Sequence, residues 1–160
     1  MPLLSRAIFY AVHWAARKGL RDDWHDADHR KHAARRAGIR GETYAYWYMR
    51  RQGYVFVARN YTPRGGGKGE LDLVGYDGET LAFVEVRTRT VRDALTALPE
   101  LSITTDKQRA VVRTAQRFIA ERHISNRACR FDVLAIDNHP GQAPEVRLHK
   151  DAFTAQFERD

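Results

Sequence analysis

Two short stretches of the chain place charge where a strand should be apolar. Gly69-Glu70-Leu71-Asp72-Leu73-Val74 sets two carboxylates two residues apart, and Phe83-Val84-Glu85-Val86-Arg87-Thr88-Arg89 alternates charged with apolar side chains. In strands the period of two puts Glu70 with Asp72, and Glu85 with Arg87, on a common face. A charge in an apolar strand is unfavourable unless it is paired or binds a metal. Asp77-Gly78 lies between the stretches and is a hairpin signal, so folding it brings Asp72 close to Glu85. Two hard oxygen donors so placed suit Mg²⁺ or Mn²⁺ with positions left open for phosphate and water. The chemistry is phosphodiester hydrolysis in outline, with a nearby cation stabilising developing charge. The same spacing also fits a structural reading, in which Glu85 and Arg87, or Asp72 and Arg89, are ion pairs on a solvated sheet face.

These residues need elements to hold them. From Glu42 to Arg51, Tyr44, Ala45, Tyr48 and Met49 have helical spacing and Gly53 supplies the stop, so this is the domain's first helix, with Gly38 and Gly41 as a boundary before it. Strands are expected at Tyr54 to Tyr61, Glu70 to Tyr76 and Thr80 to Thr88. The run Leu81 to Val84 marks the last of them as central and covered on both faces. After a loop holding Pro99, Thr105-Asp106-Lys107-Gln108 fits a capping box with Thr105 as N-cap, opening a helix to about Arg122. Its apolar stripe is Val111, Ala115, Phe118 and Ile119. Lys107 lies on that stripe and so points toward the carboxylates, or else is a first-turn surface lysine. Phe131 to Ile136 is a fourth strand and Glu145 to Leu148 a weak fifth. The order predicts an α/β sandwich with a mixed sheet between helices.

The 160 residues suit one domain of about 100–150 residues with an appendage. No apolar run reaches the ~18 residues of a membrane span. The single cysteine, Cys129, allows no internal disulfide, which points to a reduced, cytoplasmic setting. Net charge is +7, the footprint of a chain that meets polyanions, yet residues 1–40 carry +5 of it and the rest only +2. Residues 3 to 18 read as a short amphipathic helix, and Arg21 to Arg40 as a charged segment, helical in part.

Several of these blocks, in order, resemble the bacterial YraN family: Gly41-Glu42, Arg59-Asn60-Tyr61, Gly69 to Leu73, Phe83 to Arg89, Lys107-Gln108, Arg130-Phe131-Asp132-Val133 and Lys150-Asp151-Ala152-Phe153. The resemblance runs from about residue 41 to 154 and leaves residues 1–40 outside it. That family is similar to the restriction-endonuclease-like superfamily, and most closely to Holliday-junction resolvases with their PD-(D/E)-x-K core. The resemblance implies a restriction-endonuclease-like three-layer sandwich over residues 41–157, its mixed sheet flanked by helices, preceded by a basic N-terminal extension over 1–40. It implies a divalent-metal-dependent endonuclease using Mg²⁺ or Mn²⁺ on DNA, branched or single-stranded. Asp72 takes the Asp position, Glu85 the acidic position and Arg87 the Lys position, with Glu42 as a further metal-side carboxylate. Two departures stand out: no Pro-Asp pair precedes the core, and a guanidinium at Arg87 can orient or stabilise but not exchange a proton. Lys107 could partly replace the missing lysine.

Other signals carry less. Gly65-Gly66-Gly67-Lys68-Gly69 lacks the spacing of a phosphate loop and leads into a strand, so it reads as a hairpin loop offering Arg64 and Lys68 to DNA phosphates. Arg109, Arg113 and Arg117 form a helix stripe that is either solvated or follows a nucleic-acid backbone, as would Arg89. His25, His29 and His32 would share a helical face with Asp22 without a closed ligand set. Trp14 and Trp24 read as packing or partner contacts. The rival to a nuclease is a nucleic-acid-binding or protein-interaction module without catalysis. Resolvase-like action would need a homodimer for two symmetric cuts. A third reading is peripheral membrane association through residues 3–20.

Overall fold

Apolar periodicity decides the elements. The computed structural model describes residues 3–18, 27–66, 69–91, 103–139 and 142–154. In chain order these form α1 (Leu3–Lys18), α2 (Ala27–Arg51), β1 (Val55–Tyr61), β2 (Leu71–Asp77), β3 (Thr80–Thr90), α3 (Thr105–Glu121), β4 (Cys129–Asn138) and β5 (Glu145–Phe153). The strands make one mixed sheet in the order β1-β2-β3-β4-β5, antiparallel except for the parallel β3/β4 pair. Leu81 to Val84 is buried throughout at its centre, as a strand covered on both faces requires.

Each face of the sheet has its own core, which makes three layers. On one face Tyr44, Ala45 and Met49 of α2 pack with Leu73, Ala82, Val84, Leu134 and Ile136. On the other, Val111, Ala115 and Phe118 of α3 pack with Leu71, Val74, Leu81, Phe83 and Phe131. Helix α1 lies on α2 and sends Phe9 into the first core. No described helix is long and apolar enough to cross a membrane.

Two expectations change. The helix expected to open at Glu42 begins at Ala27 and runs through both Gly38 and Gly41. Gly41 is there for close approach: a methyl group at that position would sit 2.1 Å from Thr88 Oγ1, so only glycine lets α2 meet β3. The N-cap of α3 is Thr104, one residue before the expected Thr105, and its hydroxyl accepts from the Lys107 backbone N–H at 3.3 Å. Gln108 reaches back to the Ile103 carbonyl. Trp24, His25, Lys68 and Pro99 lie outside the described residues, as do the side chains of His29 and His32.

Candidate active site

The β2/β3 hairpin turns at Gly78, whose φ of +60° at the first central position suits a primed turn. Its register pairs Leu73 with Val84 and Val74 with Phe83, which sets Asp72 and Glu85 at the adjoining next positions of the two strands, with Glu85 on the α3 face that Phe83 shares. Asp72 Oδ2 accepts the backbone N–H of Val86 at 2.7 Å. Glu85 is only 4% exposed. The first turn of α3, set by its Thr104 cap, delivers Lys107 Nζ to 3.0 Å from Glu85 Oε1. Arg87 Nη2 stands 3.4 Å from the same oxygen. Asp72, Glu85, Arg87 and Lys107 are thus brought into one cluster by three separate elements.

Its electrostatics are unusual for carboxylates. Burial, and after it the neighbouring Glu85 charge, pushes the Asp72 carboxyl up to about 7, against the opposing pull of the Val86 N–H and Lys107. Glu42 adds to the upward push from α2. Burial and the like charge thus favour the protonated form of Asp72, and an added cation would favour the ionised one. The contacts above engage Asp72 Oδ2 and Glu85 Oε1, and the second oxygen of each carboxylate takes part in none of them. Two hard oxygens beside a like-charged pair fit a divalent cation. No three His, Cys, Asp or Glu side chains among the described residues form a ready-made metal cage.

Other residues singled out in the sequence make contacts of their own. Glu42 is held by Asn60, whose Nδ2 donates to Oε2 at 2.8 Å. Glu70 is exposed and precedes β2. Arg89 grips Asp137 with both Nε and Nη2, at 2.6 and 2.8 Å, and Arg147 joins the same carboxylate at 2.9 Å. These bonds hold the Asp137 carboxyl below the usual range despite its burial. Arg109 is exposed and 3.6 Å from Asp106. Arg113, Arg117 and Arg64 are exposed, Arg64 donating its backbone N–H to Glu121. Sequence reasoning missed Asn60, Asp137 and Arg147. Asn60 had a signal, being an asparagine that closes a strand, and its φ of +47° uses the left-handed region asparagine tolerates.

A second charged cluster sits on the α2 face. Asp132, fully buried, accepts from Arg130 Nε at 2.9 Å, the Asp151 backbone N–H at 3.0 Å and the Tyr54 hydroxyl at 3.1 Å. Arg130 Nη2 also donates to the Tyr54 oxygen at 2.7 Å and to Asp77 at 2.5 Å, and Lys150 closes on Asp77 at 2.7 Å. Hydrogen bonds from Lys150 and then Arg130 lower the Asp77 carboxyl. Burial pushes the Tyr54 phenol well above its usual value.

A family model, described as "Uncharacterised protein family UPF0102", matches residues 41–136, a span that holds Glu42, Asp72, Glu85, Arg87 and Lys107. The chain is 37% identical over 120 residues to a UPF0102 protein of Geobacter metallireducens, covering 75% of this chain and 93% of that one. A UPF0102 protein of Geobacter sulfurreducens is 38% identical over 120 residues, with 75% and 90% covered. One from Pseudomonas aeruginosa is 39% identical over 115 residues, with 71% and 88% covered. With the matched span running from the middle of α2 through most of β4, the chain belongs to the UPF0102 family.

Proposed function

We propose that the chain is a divalent-metal-dependent nuclease that hydrolyses phosphodiester bonds of DNA, branched or single-stranded, through the cluster on the α3 face. The observation that carries this reading is the adjacent Asp72/Glu85 pair, Glu85 buried and Asp72 half-buried, with Lys107 Nζ 3.0 Å from Glu85. Such pairs of carboxylates and a cation, set against each other in a desolvated site, are where catalytic chemistry is found. The sequence resemblance to restriction-endonuclease-like enzymes supports it, as does the three-layer sandwich with a mixed sheet.

Asp72 and Glu85 would hold Mg²⁺ or Mn²⁺, which when bound polarises the scissile phosphate and acidifies water. Lys107 and Arg87 share Glu85 Oε1 and would turn their remaining donors to phosphate oxygens, neutralising charge as it develops. Arg87 does this as a fixed cation and Lys107 is the group able to pass a proton. Glu42, held by Asn60, adds negative potential at the rim.

A second reading, a nucleic-acid-binding module without hydrolysis, is favoured by one observation: Glu85 already holds two cations, as in a structural ion pair. The two separate in one assay. Cleavage of labelled branched and single-stranded DNA in Mn²⁺ or Mg²⁺ should fall at least about 100-fold in Asp72→Asn and Glu85→Gln while the fold persists. Metal-independent DNA affinity, unchanged in both variants and with no cleavage by the wild type, would establish the binder instead.

A further inference from the structure

Helix α1 is apolar on two sides. Phe9 faces inward, 4% exposed, and Val12 packs against the same core. Facing outward are Ala7, Tyr10, Ala11 and Trp14, with Tyr10 53% and Trp14 59% exposed. A helix packed on a domain by one face ordinarily turns a polar face to water. Here the outward face has exposed Arg6 one turn before Tyr10, and Arg6-Tyr10-Trp14 forms a row at i, i+4 spacing. Arg51 of α2 adds a cation beside it, over the rings of Phe9 and Tyr10.

We infer that this face of α1 is a docking surface for an anionic lipid bilayer, on which the helix lies flat with Tyr10 and Trp14 at the headgroup level. Charge complementarity selects the occupant: the sequence of α1 has three basic residues, Arg6, Arg17 and Lys18, and no acidic one, while residues 41–160 carry only +2. Shape selects it too. An outer helix is a convex ridge, which rests on a plane, whereas single-stranded nucleic acid is gripped in grooves lined by aromatic rings. Placement separates it from the carboxylate cluster, since α1 is layered on α2 and Glu85 and Lys107 meet on the opposite, α3 face. The inference does not rest on nuclease activity. Tyrosine and tryptophan are the side chains suited to such an interface, because each has an apolar body and a polar tip.

The test is flotation of the full chain with phosphatidylcholine vesicles, with and without about one third phosphatidylglycerol. The wild type should float with the anionic vesicles, not with the neutral ones, and added salt should weaken the association. Arg6→Gln should lower partitioning about fivefold and the double variant Tyr10→Ser/Trp14→Ser at least about tenfold, with both variants shown to be folded by a cooperative urea transition. Equal binding to neutral vesicles, or no binding to either, overturns the inference, as does wild-type binding by both variants. If the double variant instead loses affinity for a single-stranded oligonucleotide, or shifts from dimer to monomer in sedimentation, without any vesicle binding by the wild type, the face serves nucleic acid or self-association and the lipid surface is excluded.

Discussion

On the α2 face Asp132 is met by Arg130, the Tyr54 hydroxyl and a backbone N–H, and Arg130 is shared onward to Asp77 and Lys150. On the α3 face burial and then the Glu85 charge raise the Asp72 carboxyl against a single backbone N–H, while that of Asp77 is lowered. Both regions bury carboxylates in the same sheet. The first is closed by its own hydrogen bonds and belongs to the architecture. The second gives both its cations to Glu85 and leaves Asp72 buried beside a like charge, which the rest of the fold must offset.

Removing one carboxylate from each region should therefore act in opposite directions. Asp132→Ala leaves Arg130 and Tyr54 without their buried partner and should destabilise by about 3–5 kcal/mol in urea unfolding. Asp72→Asn should stabilise at pH 8, by about 2–4 kcal/mol for a carboxyl moved from 3.8 to about 7. The sign follows from protons. Between those values folded Asp72 keeps a proton that the unfolded chain has lost, so its contribution is full below about 4 and disappears as pH rises through about 7. The wild-type minus Asp72→Asn difference should show that slope, and a flat difference across pH 4 to 8 would erase the contrast between the two faces. Asp77 runs the other way: its lowered carboxyl stabilises above about 4 and loses that contribution on acidification. The smallest effect is expected from Lys107→Met, which leaves Glu85 with Arg87 alone and should lose about 1–2 kcal/mol. Because Lys107 opposes the rise at Asp72, the same variant should move the Asp72 titration, followed by carboxyl NMR, further upward.

Much of the α3 face was legible because its signals are local. Period two, the Asp77-Gly78 turn and the stripe Lys107-Val111-Ala115 each depend on a few neighbouring residues, and together they lead to the Asp72, Glu85 and Lys107 arrangement. The parts that were not legible depend on distant partners. Arg89 read as a ligand for phosphate or Asp72, but the parallel β3/β4 pairing sets it opposite Asp137, a relation between residues 48 apart in sequence. Gly41 read as a break because the side chain it makes room for, Thr88, lies on another element. Thr114 likewise looks like a polar interruption of the α3 stripe. It is buried because its hydroxyl bonds back to the Ala110 carbonyl and packs against Gly69, where no Cβ intervenes. The cap at Thr104 rather than Thr105 is a one-residue ambiguity between two adjacent threonines.

The parallel pairing of β3 with β4 has a kinetic consequence. Strands β1 to β3 form an antiparallel meander joined by a nine-residue and a two-residue connection, both far shorter than the crossover to β4, so they can pair early and locally. Strand β4 can join only after the chain has travelled from Thr90 through α3 to Cys129, a long loop to close. The meander carries Asp72 and Glu85, whereas Lys107 arrives with the crossover. On that order Asp72 and Glu85 meet with Arg87 alone beside them, and Lys107 adds the second cation when the crossover docks. Lys107 variants should accordingly speed unfolding with little change in folding rate, and Asp72→Asn should quicken the folding arm of the chevron.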